Sequence, residues 1–191
     1  MRVEIRAEVG EATEKFEVPW QDDAKGVRFF DLRSSPSDIE KIEAARQHRP
    51  LANFLSAVNS GDSLFISLCA QTGLERRASP EEPCLFSTRV VLAFANPPMN
   101  FEHESYGKLL EGLEGLLAKG GGSESLRIEL ALHPCRYNDS ARWGTCLAVL
   151  LQASGRTDEQ AVLRWGLGLA HVQQALLFSS RVLRQERAQR S

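Results

Sequence analysis

Val3, Ile5, Ala7 and Val9 alternate with Arg2, Glu4, Arg6 and Glu8, a period of two that predicts a strand with one face buried and the other in water. Beyond a turn at 10–13, Phe16, Val18 and Trp20 alternate with Lys15, Glu17 and Pro19. This spacing predicts a returning strand and hence a hairpin, with Pro19 putting it at a sheet edge. The apolar run 27–32 is a candidate for one more strand. The pattern then changes to helical spacing. Ser37 followed three residues later by Glu40 is a capping-box start, Pro50 interrupts the helix, and Leu51, Phe54, Leu55 and Val58 carry a second helix to about 59–61.

Two further strand pairs follow, each with its own helix. The first pair is 64–70 with 86–95, and Tyr106, Leu109, Leu110, Leu113, Leu116 and Leu117 mark the helix after it, ended by Gly120, Gly121 and Gly122. The second pair is 126–132 with 145–153. Thr157 and Gln160 then open a final helix of about 30 residues, about 45 Å long, in which Val162, Trp165, Leu169, Val172, Leu176 and Leu183 follow a seven-residue repeat broken at Ser179. The pattern predicts a single α+β domain: a mainly antiparallel sheet of about six strands, helices on one face, and a long C-terminal helix. Its expected parts are β-β-α units at 1–61, 62–122 and 123–191.

A shift of 62 residues lays Ser63, Leu64, Ile66 and Leu68 over Ser125, Leu126, Ile128 and Leu130, and Cys84 and Leu85 over Cys146 and Leu147. These identities are compatible with a duplicated unit in which Cys84 and Cys146 hold equivalent places. The sheet face away from the helices is charged on the outer strands, yet on the inner strands it is expected to carry Phe65, Cys69, Val91, Ala93, Ala148 and Leu150. Apolar surface of that extent requires a cover, a groove or a subunit interface, so these six residues are the candidate binding surface.

Composition narrows the possible roles. Hydrophobic residues make up 42% of the 191, charged residues 25%, and the net charge is -2. This excludes a disordered chain and argues against a dedicated nucleic-acid binder, and no apolar run approaches the roughly 18 residues of a membrane span. The charged N-terminus leaves no signal-peptide core, which points to the cytoplasm and to four reduced cysteines. By segment the net charge is -2 over 1–50, -3 over 51–123 and +3 over 124–191. The positive excess comes from Arg181, Arg184, Arg187 and Arg190, placed where cations favour the negative end of a helix dipole.

Reactive side chains gather most densely at 133–144, in a predicted loop facing a second long loop at 71–83. His133 and Cys135, flanked by Arg136, Asp139 and Arg142, have the residue types of an activated thiol, so these five are the weak catalytic candidates. Glu102, His103 and Glu104 are a possible acid-base group but sit at a helix start, where acidic residues are expected anyway. The cysteine separations of 15, 51 and 11 residues lack the local clamp of a zinc site. No metal or cofactor is expected.

The sequence therefore favours a non-catalytic binding or assembly domain, acting through its sheet face or C-terminal helix to form a homodimer or hold a protein partner, without nucleic acid or membrane. The alternatives are a small-molecule hydrolase or transferase with a site between loops 71–83 and 133–144, and a passive carrier of an apolar ligand.

Overall fold

The structure is a computed structural model that describes residues 1–6, 16–18, 28–119, 125–138 and 141–190. In chain order the elements are β1 (Arg2–Arg6), β2 (Phe16–Val18), α1 (Glu43–Gln47), α2 (Arg49–Val58), β3 (Phe65–Arg76), β4 (Cys84–Phe94), α3 (His103–Lys119), β5 (Leu126–Tyr137), β6 (Arg142–Gly155) and α4 (Asp158–Arg190). All six strands join one sheet of order β1-β5-β6-β4-β3, with β2 also on β5.

The fold is α+β with a long C-terminal helix, but the sheet is mixed rather than mainly antiparallel. Both β1 and β2 run parallel to β5: Arg2 to Arg6 lie beside Arg127 to Ala131, and Phe16 to Val18 beside Cys135 to Tyr137. The expected N-terminal hairpin is therefore replaced by two short strands placed one after the other along a single neighbour. Period-two patterning states which residues share a face, not which strand lies alongside. The predicted turn at 10–13, Pro19 and Gly120–Gly122 lie outside the described residues. Residues 28–32 form no strand.

Two of the expected helix starts are revised: Ser37 and Glu40 form no capping box, because both lie inside a 3-10 turn with no side-chain cap bond and α1 begins only at Glu43. That turn is Pro36–Lys41, and Pro50 sits in the first turn of α2, so it opens that helix rather than interrupting one. At α4 the Thr157 hydroxyl accepts from the Gln160 N–H at 3.2 Å, and the Gln160 side chain accepts from the Arg156 N–H at 2.8 Å.

The main core lies between sheet and helices. Val90, Leu92, Phe94, Ile128, Leu130, Leu147, Val149 and Leu151 point into it from the strands, against Phe54, Leu109, Leu113, Trp165, Leu169 and Leu176 from the helices. Trp165 packs edge-on to Phe86 at 4.7 Å. A second buried cluster on the opposite sheet face contains Val18, Leu68, Val91, Ala93, Cys135, Cys146 and Ala148, with Phe29 and Tyr137 against it.

Two of the four arginines near the C-terminus, Arg184 and Arg187, bind particular neighbours. Arg184 donates to the carbonyls of Gly61 and Ser63 at 2.7 and 2.8 Å. Arg187 reaches Glu102 and, at 3.2 Å, the Ser105 hydroxyl. The end of α4 is thereby tied to the turn before β3 and to the start of α3.

Candidate functional site

Residues 133–144 are mostly strand: β5 runs to Tyr137 and β6 starts at Arg142, leaving a connection of four residues. Residues 71–76 likewise belong to β3, so the other loop is 77–83. The two loops do not face each other. Cys84 at the start of β4 pairs with Gly155 at the end of β6, which puts loop 77–83 at the opposite end of the sheet from the β5–β6 turn. Fourteen residues of β6, about 45 Å of strand, separate them. This corrects the expectation of a catalytic cleft between the loops: β4 and β6 are antiparallel neighbours, and that fixes their hairpin turns at opposite ends.

The candidate catalytic residues also disperse. Cys135 and Cys146 are fully buried. A thiol–thiol hydrogen bond, together with burial, keeps the Cys146 proton in place and pushes that group far up, while the same bond lowers Cys135. The Cys146 thiol also points at the His133 carbonyl, 3.6 Å away. The Arg136 guanidinium is 3.9 Å from Glu17, and Arg142 lies 4.1 Å over the Phe101 ring. Asp139 lies outside the described residues. Tyr137 and Tyr106 both donate to the Thr145 carbonyl, at 2.9 and 2.7 Å, and burial raises both phenols well above their ordinary range. This arrangement locks the end of the β5–β6 hairpin, and it keeps Cys135 from meeting a substrate.

Of the six candidate sheet-face residues, Val91, Ala93 and Ala148 are buried in the second cluster, Cys69 packs against it, and Leu150 stays partly exposed. Phe65 is on the other face: it pairs with Phe94, stacks on it at 5.2 Å and belongs to the main core. The cause is a β-bulge between Ser67 and Cys69. One extra residue reverses the alternation, so Phe65 and Cys69, four apart, face opposite ways. Because Val18 and Phe29 pack over this region, Val91, Ala93 and Ala148 do not form an open surface. The proposed equivalence of Cys84 and Cys146 fails for a related reason, since Cys84 is in the main core and Cys146 in the second cluster. The two hairpins differ in loop length, and the ungapped shift ignores that.

Glu102 accepts from the Ser105 hydroxyl at 2.8 Å and from Arg187, while Glu104 pairs with Lys108 at 2.6 Å, so this trio forms the start of α3. Among the described residues no group of three or more His, Cys, Asp or Glu is placed to hold a metal ion, and no helix is long and apolar enough to cross a membrane.

The sequence pointed to the C-terminal helix as an interaction element but not to the stripe that stays outside, and it gave no sign of a groove beside β3. The stripe is the outer side of α4, where Leu163, Leu167, Phe178 and Val182 are 65, 66, 52 and 36% exposed. At about 100° per residue these four fall within an arc of about 100°. The signal was present as a second apolar stripe on the side of the helix opposite the heptad seam. The groove, of about 650 Å³, lies between β3 and the segment leading into α1 and is lined by Arg28, Phe30, Lys41, Ile42, Leu68 and Ala70 among others. Its walls come from distant parts of the chain, and no local motif announces it. Compared with known proteins, the chain matches no family model, no curated protein and no solved structure.

Proposed function

We propose that this chain is a non-catalytic binding and assembly domain that pairs with a second copy of itself through the outer face of α4. The observation that carries the reading is that α4 is apolar on two sides. Trp165, Leu169, Val172, Leu176 and Leu183 fill the core, while Leu163, Leu167 and Phe178 are each more than half exposed on the opposite side. An exposed apolar stripe of this kind on an otherwise polar outer face marks an interaction surface.

The dimensions favour a second copy. A helix of 33 residues is about 50 Å long and about 10 Å across, a strip of about 500 Å². The groove beside it, where Leu116 of α3 meets Phe178 and Val182, widens this strip towards the roughly 800 Å² per partner of a stable interface. Leu163, Leu167, Ala170, Gln174 and Leu177 follow alternating spacings of four and three, the seam of a two-helix contact. A two-fold axis across that seam sets the same patch against itself.

Sedimentation velocity from about 1 to 100 μM tests this. The wild type is expected to move from monomer to dimer within that range, and Leu163→Glu with Leu167→Glu to weaken association at least about 100-fold, with an unchanged far-UV spectrum. A wild-type protein that stays monomeric throughout, or a double variant that still dimerises, overturns the proposal.

A further inference from the structure

We propose that the groove along β3 binds an extended acidic peptide by strand addition. β3 is the terminal strand of the sheet, paired only with β4 among the described residues. The groove touches Ser67, Leu68, Cys69, Ala70, Gln71 and Thr72 in succession. Side chains alternate between the faces of a sheet, so a cavity in contact with six consecutive residues follows the strand's edge rather than either face.

The first part of this edge is closed by the protein's own side chains. Arg33 donates to the carbonyls of Ser63 and Phe65 at 3.1 and 3.3 Å, and Asn59 accepts from the Ser67 N–H at 3.0 Å. Beyond Ser67 no such side-chain bond closes the edge among the described residues, and the groove continues over five residues or about 17 Å. Backbone donors and acceptors in alternation are matched by another extended backbone, as in the recognition modes that add a strand to a sheet edge.

The walls select its side chains. Phe30, Ile42, Ala44, Leu55, Leu68 and Ala70 form the apolar lining. At the rim, Arg28 is exposed, and Lys41 keeps 61% of its side-chain exposure although it contacts Asp38 at 2.7 Å. The one acidic lining residue, Glu43, accepts from the Gln47 amide at 3.0 Å and keeps its charge, so with Lys41 shared with Asp38 it is Arg28 that carries most of the preference for an acidic ligand. The complementary ligand therefore alternates apolar residues, which enter the groove, with carboxylates, which meet Arg28 and Lys41. This groove is separate from the outer face of α4.

The probe is a fluorescein-labelled heptapeptide alternating valine with glutamate, read by fluorescence anisotropy against the full chain. Its comparators are the same peptide with lysine for glutamate, and one N-methylated at alternate backbone nitrogens. Saturable binding is expected for the parent peptide, at least about tenfold weaker for both comparators and for Arg28→Glu, and lost in Ala44→Trp, which fills the groove. The Leu163→Glu, Leu167→Glu protein is expected to bind as the wild type does, which separates this proposal from α4-mediated pairing. Arg28 is exposed and outside the core, so its reversal keeps the test decisive if Ala44→Trp misfolds. The proposal is overturned by no saturable binding up to millimolar peptide, by equal binding of the N-methylated peptide, or by unchanged binding to Arg28→Glu. It is also overturned if Arg28→Glu alters the sedimentation coefficient while no peptide binds, since the edge then belongs to a second copy.

Discussion

Glu82 joins loop 77–83 to three elements at once, and its removal has a calculable consequence. The carboxylate accepts from the Ser125 hydroxyl at 2.6 Å, from the Ser154 hydroxyl, and from Arg164 at 2.6 Å, while Arg164 also donates to the Ser154 carbonyl at 2.7 Å. The two hydroxyl bonds and the guanidinium hold the carboxyl down from its ordinary 4.5 to about 2. At 1.36 kcal/mol per decade this corresponds to about 3 kcal/mol. The side chain keeps 29% of its exposure, and solvent screening reduces the figure to about 1–2 kcal/mol. The folded-state value is the depressed one, so the contribution is complete above about pH 4.5 and fades as pH falls towards 2, with about a quarter left at pH 2.5. In urea unfolding, Glu82→Gln is expected to be about 1–2 kcal/mol less stable than the wild type at pH 7 and within about 0.5 kcal/mol of it at pH 2.5. A deficit of the same size at both pH values would refute an ionic origin.

Two glycines with opposite surroundings test the packing. A Cβ on Gly155 would meet the Ala161 nitrogen at 2.6 Å and the Thr157 carbonyl at 3.0 Å, both backbone, whereas one on Gly115 of α3 meets nothing within 4 Å. Thermal unfolding is expected to show Gly155→Ala destabilising by about 1–3 kcal/mol and Gly115→Ala stabilising by about 0.5–1 kcal/mol. The cysteines provide a third check: Cys84, Cys135 and Cys146 are fully buried and only Cys69 is partly exposed. A thiol reagent should label Cys69 on the native protein, slowly because burial raises its thiol, and the other three only as the protein opens. Rapid native-state labelling of Cys135 would restore the reactive-thiol reading of 133–144.

Local patterning recovered the parts of the fold whose causes are local. The leucines of α3 repeat with the helical period, β5 alternates with the period of a strand, β4 and β6 carry short apolar runs, and the Thr157–Gln160 pair opens α4 by itself. Strand neighbours were not legible, because β1 and β2 lie parallel to a segment more than 100 residues away. The face of Phe65 was not legible either, since the bulge at Ser67–Cys69 leaves no mark in the pattern of apolar residues. The candidate site at 133–144 failed through placement: the residue types were present, but strand geometry buried Cys135 and set the two loops at opposite ends of the sheet.

The sequence by itself determined the α+β class, the two long hairpins and their following helices, and the cysteine count, because each is written in composition or in periodicity within one segment. Tertiary structure alone decided that the sheet is mixed, that Val91, Ala93 and Ala148 are buried, that Leu163, Leu167 and Phe178 are left outside, and that the edge of β3, with no second strand beside it among the described residues, borders a groove. The physical reason is common to all four: each depends on which distant segment lies alongside, and hydrophobic spacing records that a face is to be buried without recording against what.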